Sequence, residues 1–365
     1  MIQVDLLNNG QAQGSIAEMI LREGRFNAKA LRPYVAEDGR SYIDVYSGQG
    51  NPNVLSSWRS QQINVNATLR RDEWKHLDEA LLVASRSRLG GVQDLIDKGL
   101  VYTLGNGMGS TVFEYHDVKD GMTAELSMDA VTRSIGDRPD FGVKYLPLPI
   151  IHSDFEINAR VLAASRNMGN PLDTTAVEMA THQVLLKREQ MLFTDTTYGY
   201  GGGTIYSYVN HPDRNIVSLG TAWSSLDYDS SSSSGGETVV DKVIALKQSS
   251  IDNLHFGPWM LYIPTAYETV LDKDYDKTTP GTTIRDRIMK VGGISGIKVI
   301  DQLTPDNVLL VQMSSDVVRL IRGLGLQNLQ WQIEGGMITK YKVMTIEVPQ
   351  VRSDANGKSG IVHAS

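Results

Sequence analysis

The chain has 365 residues, 41% hydrophobic and 21% charged, which is typical of a globular protein with room for two or three domains. Its formal net charge of -7 excludes a protein that grips nucleic acid over its whole surface, although a locally basic face stays compatible with it. The absence of cysteine excludes disulfides, thiolate nucleophiles and cysteine-bound metals, and it suits a reducing compartment.

Residues 1–66 are polar and have little periodicity, so we expect an arm that gains its order by lying on another surface. The alternation over Tyr42–Tyr46 predicts one short strand within it. Four basic side chains of the arm are candidates for phosphate contacts on an inner face: Arg22, Arg25, Lys29 and Arg32. A solvated face, or one paired with another subunit, is the alternative that we favour for these four residues.

A helix is predicted over Thr68–Arg88, with an end at Gly90 and Gly91. Its apolar stripe at helical spacing predicts core packing by Trp74, Leu77 and Leu81. The glycines at 105, 107 and 109 look like part of a phosphate-binding loop. They lack the Lys-Ser/Thr pair that such a loop needs, so a turn is the better interpretation.

A long two-stranded projection is predicted over 110–147. Strand-like residues lie on both sides of Asp120-Gly121, which favours a hairpin there, and extended character resumes from Phe141. Pro147 and Pro149 exclude the centre of a sheet because proline cannot donate to a ladder. An isolated ribbon is marginal in water, so this projection needs a neighbour.

Two helices are predicted next, a short one over Asp154–Met168 and a long one from about Asp173 to Phe193, separated by Gly169-Asn170-Pro171. In the long helix, Val184, Leu185 and Leu192 belong to the apolar face, whereas Lys187, Arg188 and Glu189 are expected to face elsewhere.

The composition changes at 195–236, where glycine, tyrosine and serine dominate, and we interpret this segment as an insertion loop. From Glu237 the pattern is compact α/β, with helices predicted at Val239–Gln248, Thr265–Asp272 and Thr283–Lys290. Strands are predicted at Trp259–Ile263, Ile297–Ile300 and Val308–Met313, and a long alternating strand at Met337–Val348.

No combination of residues in the sequence predicts catalysis, a cofactor or a metal site. The seven histidines form neither HxH nor HExxH, and no GxSxG occurs. Asp272, Asp274 and Asp276 alternate as in a calcium loop, but the glycine and the closing glutamate are missing. The chain begins with no secretory signal and has no run near the ~18 apolar residues of a membrane span, so no membrane partner is expected.

Four segments, in order, resemble encapsulin shell proteins and tailed-phage major capsid proteins. NATLRRDEWKHLDEA (66–80) is similar to the opening helix of that family, and LPLPI with DFEI (146–157) to the strand that returns from an extended loop. REQMLF (188–193) is similar to the end of the spine helix, and HFGPWMLYIP (255–264) to the first strand of the axial domain. The resemblance covers about residues 67–348.

The resemblance implies an α+β protein with the Hong Kong ninety-seven-like fold of phage major capsid proteins and encapsulins. Its parts would be an N-terminal arm (1–66), a first helix and lead-in (67–109), an extended β-hairpin loop (110–147), a peripheral domain with the spine helix (148–194), the insertion loop (195–236), an axial α/β domain (237–335), a return strand to the peripheral domain (336–350) and a C-terminal tail (351–365).

The function that it implies is structural, not enzymatic. Copies of a tailed-bacteriophage major capsid protein would assemble as hexamers and pentamers into an icosahedral shell around double-stranded DNA, bound without sequence specificity. The protein would be found in the virion capsid, assembled in the host cytoplasm. Portal, scaffold and decoration proteins are further candidate partners.

Two alternatives stay open. The first is an encapsulin nanocompartment shell around a cargo enzyme; the long arm and the insertion loop, both extra to encapsulins, favour the phage coat over it. The second is a soluble α/β enzyme, for which the sequence offers no catalytic set.

Overall fold

The computed structural model describes residues 34–46, 58–63, 73, 77, 89–105, 107–119, 128, 140–160, 175–228, 235–276, 281–333, 337–354 and 357–365. In chain order the elements are β1 (Tyr34–Val35), β2 (Ser41–Tyr46), β3 (Trp58–Ile63), α1 (Gly90–Asp97), β4 (Val101–Thr103), β5 (Val112–Lys119), β6 (Asp140–Pro147), β7 (Ile151–Asn158), α2 (Thr175–Phe193), β8 (Tyr198–Tyr200), β9 (Gly203–Ile205), β10 (Asn215–Val217), α3 (Gly235–Asp252), β11 (Trp259–Pro264), α4 (Ile284–Met289), β12 (Ile294–Ile300), β13 (Val308–Gln312), β14 (Val318–Ile333), β15 (Ile338–Val351) and β16 (Ile361–Ala364).

A four-stranded sheet in the order β4-β14-β15-β7, here called the peripheral sheet, carries α2 on one face. Its strands β14 and β15 have 16 and 14 residues and pair antiparallel, with irregular register around Gly323. The helix packs Val177 and Val184 towards the sheet because they recur at helical spacing, and Leu185 beside them is also buried.

A five-stranded mixed sheet in the order β10-β16-β13-β11-β12, here called the axial sheet, forms the second body. Strands β11 and β13 are buried along their whole length, so they read as continuous apolar runs. Thr283 and Asp286 form a reciprocal capping box that starts α4.

The ribbon β5–β6 is paired from Val112 with Pro147 to Lys119 with Asp140. The partner of β5 is therefore β6, so the hairpin predicted between the strand-like residues on either side of Asp120-Gly121 is wrong for this strand. Residues 120–127, which contain Asp120-Gly121, lie outside the described part of the chain.

The strands β1, β2 and β3 make a small antiparallel sheet in that order. It contacts the body through Tyr34, which packs with Leu77, Val177 and Tyr341, and through Ala36 and Tyr42, which pack against the same cluster. Of the predicted helix Thr68–Arg88, the structure describes only Glu73 and Leu77, both helical.

Several predicted elements differ in the structure. Residues 154–158 belong to β7 and not to a helix, because their side chains alternate between buried and exposed against β15. The helix predicted over Thr265–Asp272 is a single 3-10 turn, Thr265–Tyr267. Gly90 and Gly91, expected to end a helix, begin α1.

Two of the predicted segment boundaries also differ from the sheets. Residues 195–228 do not form a separate insertion: β10 joins the axial sheet beside β16, and Tyr208 and Trp223 are fully buried. The expected C-terminal tail supplies β16, an interior strand of the axial sheet, and β14 belongs to the peripheral sheet. Among the described residues, no helix is both long and apolar enough to cross a membrane.

Candidate functional site: a charged junction between two sheets

The two sheets meet at the C-terminal half of α2, where polar side chains are buried. Arg188 is 8% and Glu189 is 2% exposed. The expectation that these two residues face away from the core is wrong. They continue the stripe of Val184 and Leu185 at a spacing of four, so the helix turns them inward.

Glu347 of β15 binds two guanidinium groups. One carboxylate oxygen contacts Arg188 Nη1, and the other lies 2.5 Å from Arg322 Nε of β14. A buried carboxylate is costly unless it is paired, and here it is paired twice. This contact joins α2 to both long strands of the peripheral sheet.

Glu189 joins the same helix to α1. Its two carboxylate oxygens accept hydrogen bonds from the backbone N–H groups of Gly91 and Val92, at 2.6 and 3.1 Å. The carboxylate thus takes two donors that the first turn of a helix leaves unpaired. A Cβ at Gly91 would lie 2.2 Å from the Phe193 ring, so only glycine permits this approach.

Asp94 continues the connection from α1 to the axial sheet. It lies 2.5 Å from Lys298 Nζ of β12 and accepts a hydrogen bond from the Tyr262 hydroxyl of β11 at 3.1 Å. Phe193 packs edge-on against Tyr262 in the same region. The junction therefore reaches, through named contacts, from the peripheral sheet across α2 and α1 to the axial sheet.

Burial dominates the electrostatics of the junction. It raises the pKa of the Glu189 carboxyl, and the two backbone hydrogen bonds from Gly91 and Val92 act against that rise. Burial, with nearby negative charge, also raises the pKa of Tyr262 well above its ordinary value. Each charged side chain of the junction is bound by an ion pair or a hydrogen bond to a neighbouring element. Such contacts suit a role in fixing one element against another.

The described residues do not support the metal, calcium or phosphate sites that the sequence brings to mind. Within them, no group of three or more histidine, aspartate or glutamate side chains could hold a metal ion. Asp272 lies 3.2 Å from Arg285 Nε, in an exposed pair. Gly107 lies against the backbone of Gly323, where a Cβ would be 2.0 Å from the carbonyl oxygen, so packing explains this glycine better than a phosphate.

The structure places the predicted core residues Leu77, Val184, Leu185 and Leu192 at buried positions. Trp74 and Leu81 lie outside the described residues, as do the candidate phosphate contacts Arg22, Arg25, Lys29 and Arg32. Sequence reasoning missed the charged members of the junction: Asp94, Arg188, Glu189, Lys298, Arg322 and Glu347. The helical spacing of 184, 188 and 192 was the one signal that could have found part of them.

The surface near the ribbon exposes large apolar side chains. Val143 and Tyr145 lie two residues apart on β6, and Tyr198 and Tyr200 occupy β8 close by. Each is at least about two-fifths exposed. Apolar side chains clustered in this way are typical of a surface that another protein covers.

Comparisons with known proteins agree with this architecture. A family model described as "Family of unknown function (DUF6260)" matches residues 64–364. The type 1 encapsulin shell protein EncA of Myxococcus xanthus (strain DK1622) is 24% identical over 276 residues, which cover 75% of this chain and 83% of that protein.

Solved structures with a similar fold include three particles. A virus-like particle from Pyrococcus furiosus matches with a TM-score of 0.57 at 16% identity, over 80% of this chain and 99% of that chain. The capsid of Myoviridae phage XM1 gives 0.56 at 11% identity, over 75% and 91% of the two chains. The capsid of a native GTA particle gives 0.54 at 11% identity, over 76% and 90%.

Proposed function

The chain belongs to the family of unknown function DUF6260 and has the Hong Kong ninety-seven-like fold of phage capsid and encapsulin shells, and we propose that it is the major capsid protein of a tailed phage. Copies of it assemble as hexamers and pentamers into an icosahedral shell around double-stranded DNA. The assembled protein is then part of the virion capsid, built in the host cytoplasm.

The ribbon β5–β6 carries this proposal. Among the described residues its two strands hydrogen-bond only to each other; Phe113, Tyr115 and Leu146 pack on the body, whereas Val143 and Tyr145 are left exposed. A two-stranded ribbon of this kind is marginal alone in water and becomes stable against a partner surface. A closed shell supplies such a surface to every copy, because each subunit repeats the same contact.

The extra residues of the chain favour a phage coat over an encapsulin. The match to the Pyrococcus furiosus particle uses nearly all of that chain but only 80% of this one, and the family model begins at residue 64. We propose that residues 1–66 form an arm that contacts neighbouring subunits, with Arg22, Arg25, Lys29 and Arg32 as candidate contacts to DNA.

The encapsulin shell is the second candidate, and the similarity to EncA favours it. In that case the shell encloses a cargo protein instead of DNA. A soluble α/β enzyme is not retained, because capsid and encapsulin folds are structural.

The domain assignment that we propose follows the sheets. The extended loop is 110–147, and the peripheral domain combines α2 with β4, β7, β14 and β15. The axial domain combines α3, α4 and β11–β13 with β10 and β16. Portal, scaffold and decoration proteins remain proposed partners.

Electron microscopy of the expressed and purified protein tests the proposal. We expect closed polyhedral particles, and nuclease-protected double-stranded DNA in particles purified from a producing lysate. Particles that enclose a specific co-purifying protein and no DNA would favour the encapsulin. Discrete small oligomers, even with a scaffold protein expressed alongside, would contradict both shells.

A further inference from the structure

A cluster of aromatic rings and arginines lies where the ribbon leaves the peripheral sheet. The Arg319 guanidinium lies over the Tyr102 ring, 5.1 Å from its centroid, and 6.0 Å from that of Phe113. Phe113 is in turn 5.6 Å from Tyr102 and stacked at 6.3 Å on Tyr115. Three elements, β4, β5 and β14, thus bring one arginine and three rings together. We call these residues, together with Arg352, whose charge acts on Arg319, the Arg319 cluster.

In the part of the chain that the structure describes, the two arginines of this cluster have no acidic partner. Within the described residues, no carboxylate lies within 4.0 Å of either guanidinium. Arg319 Nε donates a hydrogen bond to Gln350 Oε1, a neutral group. Burial, followed by the charge of Arg352, lowers the pKa of Arg319. The cluster therefore holds uncompensated positive charge that is partly removed from water.

Arginine together with tyrosine and phenylalanine rings is typical of the residues that contribute most of the binding energy in a protein interface. Tyrosine and arginine are enriched at such positions, where a stacked guanidinium is held ready for a carboxylate. A carboxylate placed on a partly desolvated arginine makes short, charge-assisted hydrogen bonds. Tyr102 remains 45% exposed, so the cluster still has apolar surface to cover.

We propose that the Arg319 cluster binds a carboxylate-bearing segment of a second copy of this chain, an inference that rests on the proposed shell function. The chain carries 42 acidic against 35 basic residues, so each neighbouring copy brings an excess of carboxylates. Two of the rings, Phe113 and Tyr115, belong to the ribbon that needs a neighbour.

Nucleic acid fits the cluster less well. Proteins that bind single strands offer free aromatic faces on which bases stack. Here the Tyr102 face is occupied by Arg319, and the Phe113 and Tyr115 rings stack on each other. Because the rings offer no free face for base stacking, the two guanidinium groups are better suited to bind a carboxylate than a polynucleotide.

The test compares the wild-type chain with the double variant Arg319→Gln/Arg352→Gln and with the control Arg285→Gln, whose exposed guanidinium pairs with Asp272 in the same subunit. Self-association is followed by light scattering and analytical ultracentrifugation over protein concentration and over sodium chloride. We expect the double variant to need about tenfold more protein for the same association, and its salt dependence to flatten. The control should behave as wild type.

The outcomes separate this inference from the shell function. Wild-type shells that form equally well in the double variant would overturn the inference and leave the function standing. Wild-type small oligomers without shells, lost in the double variant, would support the inference and contradict the function. Unchanged self-association with lost binding of a fluorescent oligonucleotide would assign the cluster to nucleic acid and overturn our proposal. Equal thermal unfolding of the unassembled subunits is the control for folding.

Discussion

Glu347 shows at the scale of one residue why polar groups are tolerated between the sheets. Its carboxylate is buried, yet both oxygens are bound by guanidinium groups. The pairing largely offsets the cost of removing the charges from water. Removing one of these charged side chains is costly, because the charges that remain stay buried and unpaired.

We therefore expect Glu347→Gln to lower the free energy of unfolding by about 3 kcal/mol, because two guanidinium groups lose their countercharge. Urea unfolding of unassembled subunits measures the loss. The matched control is Glu156→Gln on the same sheet, whose side chain is 61% exposed beside Lys340. That change should cost less than about 1 kcal/mol. Equal losses in the two variants would contradict the role given to the junction.

Two histidines of the axial part predict a dependence of stability on pH. Burial lowers the pKa of both His211 and His363 from 6.5 to about 4. His363 lies 3.3 Å from Arg214 Nε and 2.6 Å from Asn307 Oδ1. Below pH 6.5 the unfolded chain binds these protons first, so the stability falls as the pH drops from 6.5 towards 4.

Urea midpoints at pH 7 and pH 5 measure this effect, and the midpoint should be lower at pH 5. Above pH 6.5 the two histidines are neutral in both states and contribute no slope. His363→Gln should reduce the difference between the two midpoints, whereas His152→Gln, at an exposed position, should keep it. A His363→Gln variant with the full wild-type difference would refute the assignment.

At the scale of elements, α2 combines one apolar and one charged buried stretch. Leu185 is 2% exposed, whereas Lys187, two residues further along the helix and on its opposite face, is exposed. An aspartate at position 185 would be an unpaired charge in the core, whereas an aspartate at position 187 would be solvated.

Leu185→Asp should leave no soluble folded subunit, because the cost of the buried charge is comparable with the whole stability of a domain. Lys187→Asp should fold and unfold much as wild type does. Soluble expression and the cooperativity of urea unfolding distinguish the two. Cooperative unfolding of Leu185→Asp near the wild-type midpoint would show that the position is not core.

The sequence predicted those elements whose own residues carry the signal. The long helix α2 and the alternating strand β15 were recognised because their periodicity extends over many residues. The strand β7 also alternates, over Ile151–Asn158, whereas the sequence predicts a helix from Asp154 because Gly169 and Pro171 mark a helix end. The strand β16 has four residues, too few for any period to show.

The charged junction could be predicted only in part. The spacing of Arg188 and Glu189 after Val184 and Leu185 places them on the buried face of α2. Their partners come from far along the chain, with Gly91 98 residues before Glu189 and Glu347 159 residues after Arg188. No local pattern connects such positions, so the pairing had to come from the fold.

At the scale of the whole molecule, the small sheet β1–β3 lies on the body through Tyr34, Ala36 and Tyr42, in a cluster with Leu77, Val177 and Tyr341. The described part of the arm is therefore bound to its own subunit through residues 34–42. Removing the residues before Tyr34 leaves that contact in place. The contribution of the arm to subunit stability can therefore be separated from its contribution to shell closure.

Deletion of residues 1–33 should leave the free energy of unfolding of the subunit nearly unchanged and impair the closure of shells. Deletion of residues 1–60 should also impair closure and in addition cost about 2–4 kcal/mol, since the buried Tyr34 side chain is lost. Urea unfolding and electron microscopy of both variants measure the two effects. If both truncated proteins close shells of wild-type stability, the arm does not join neighbours.

The position of β16 has a consequence for the order in which a newly made chain can fold. Residues 361–364 lie between β10 and β13, which precede them by about 146 and 53 residues. Until β16 has inserted between them, β10 has no partner strand and β13 is unpaired along one edge. The axial sheet is therefore complete only after a strand far along the chain has joined two earlier ones, so contacts that this sheet makes with neighbouring copies are expected to form after that step.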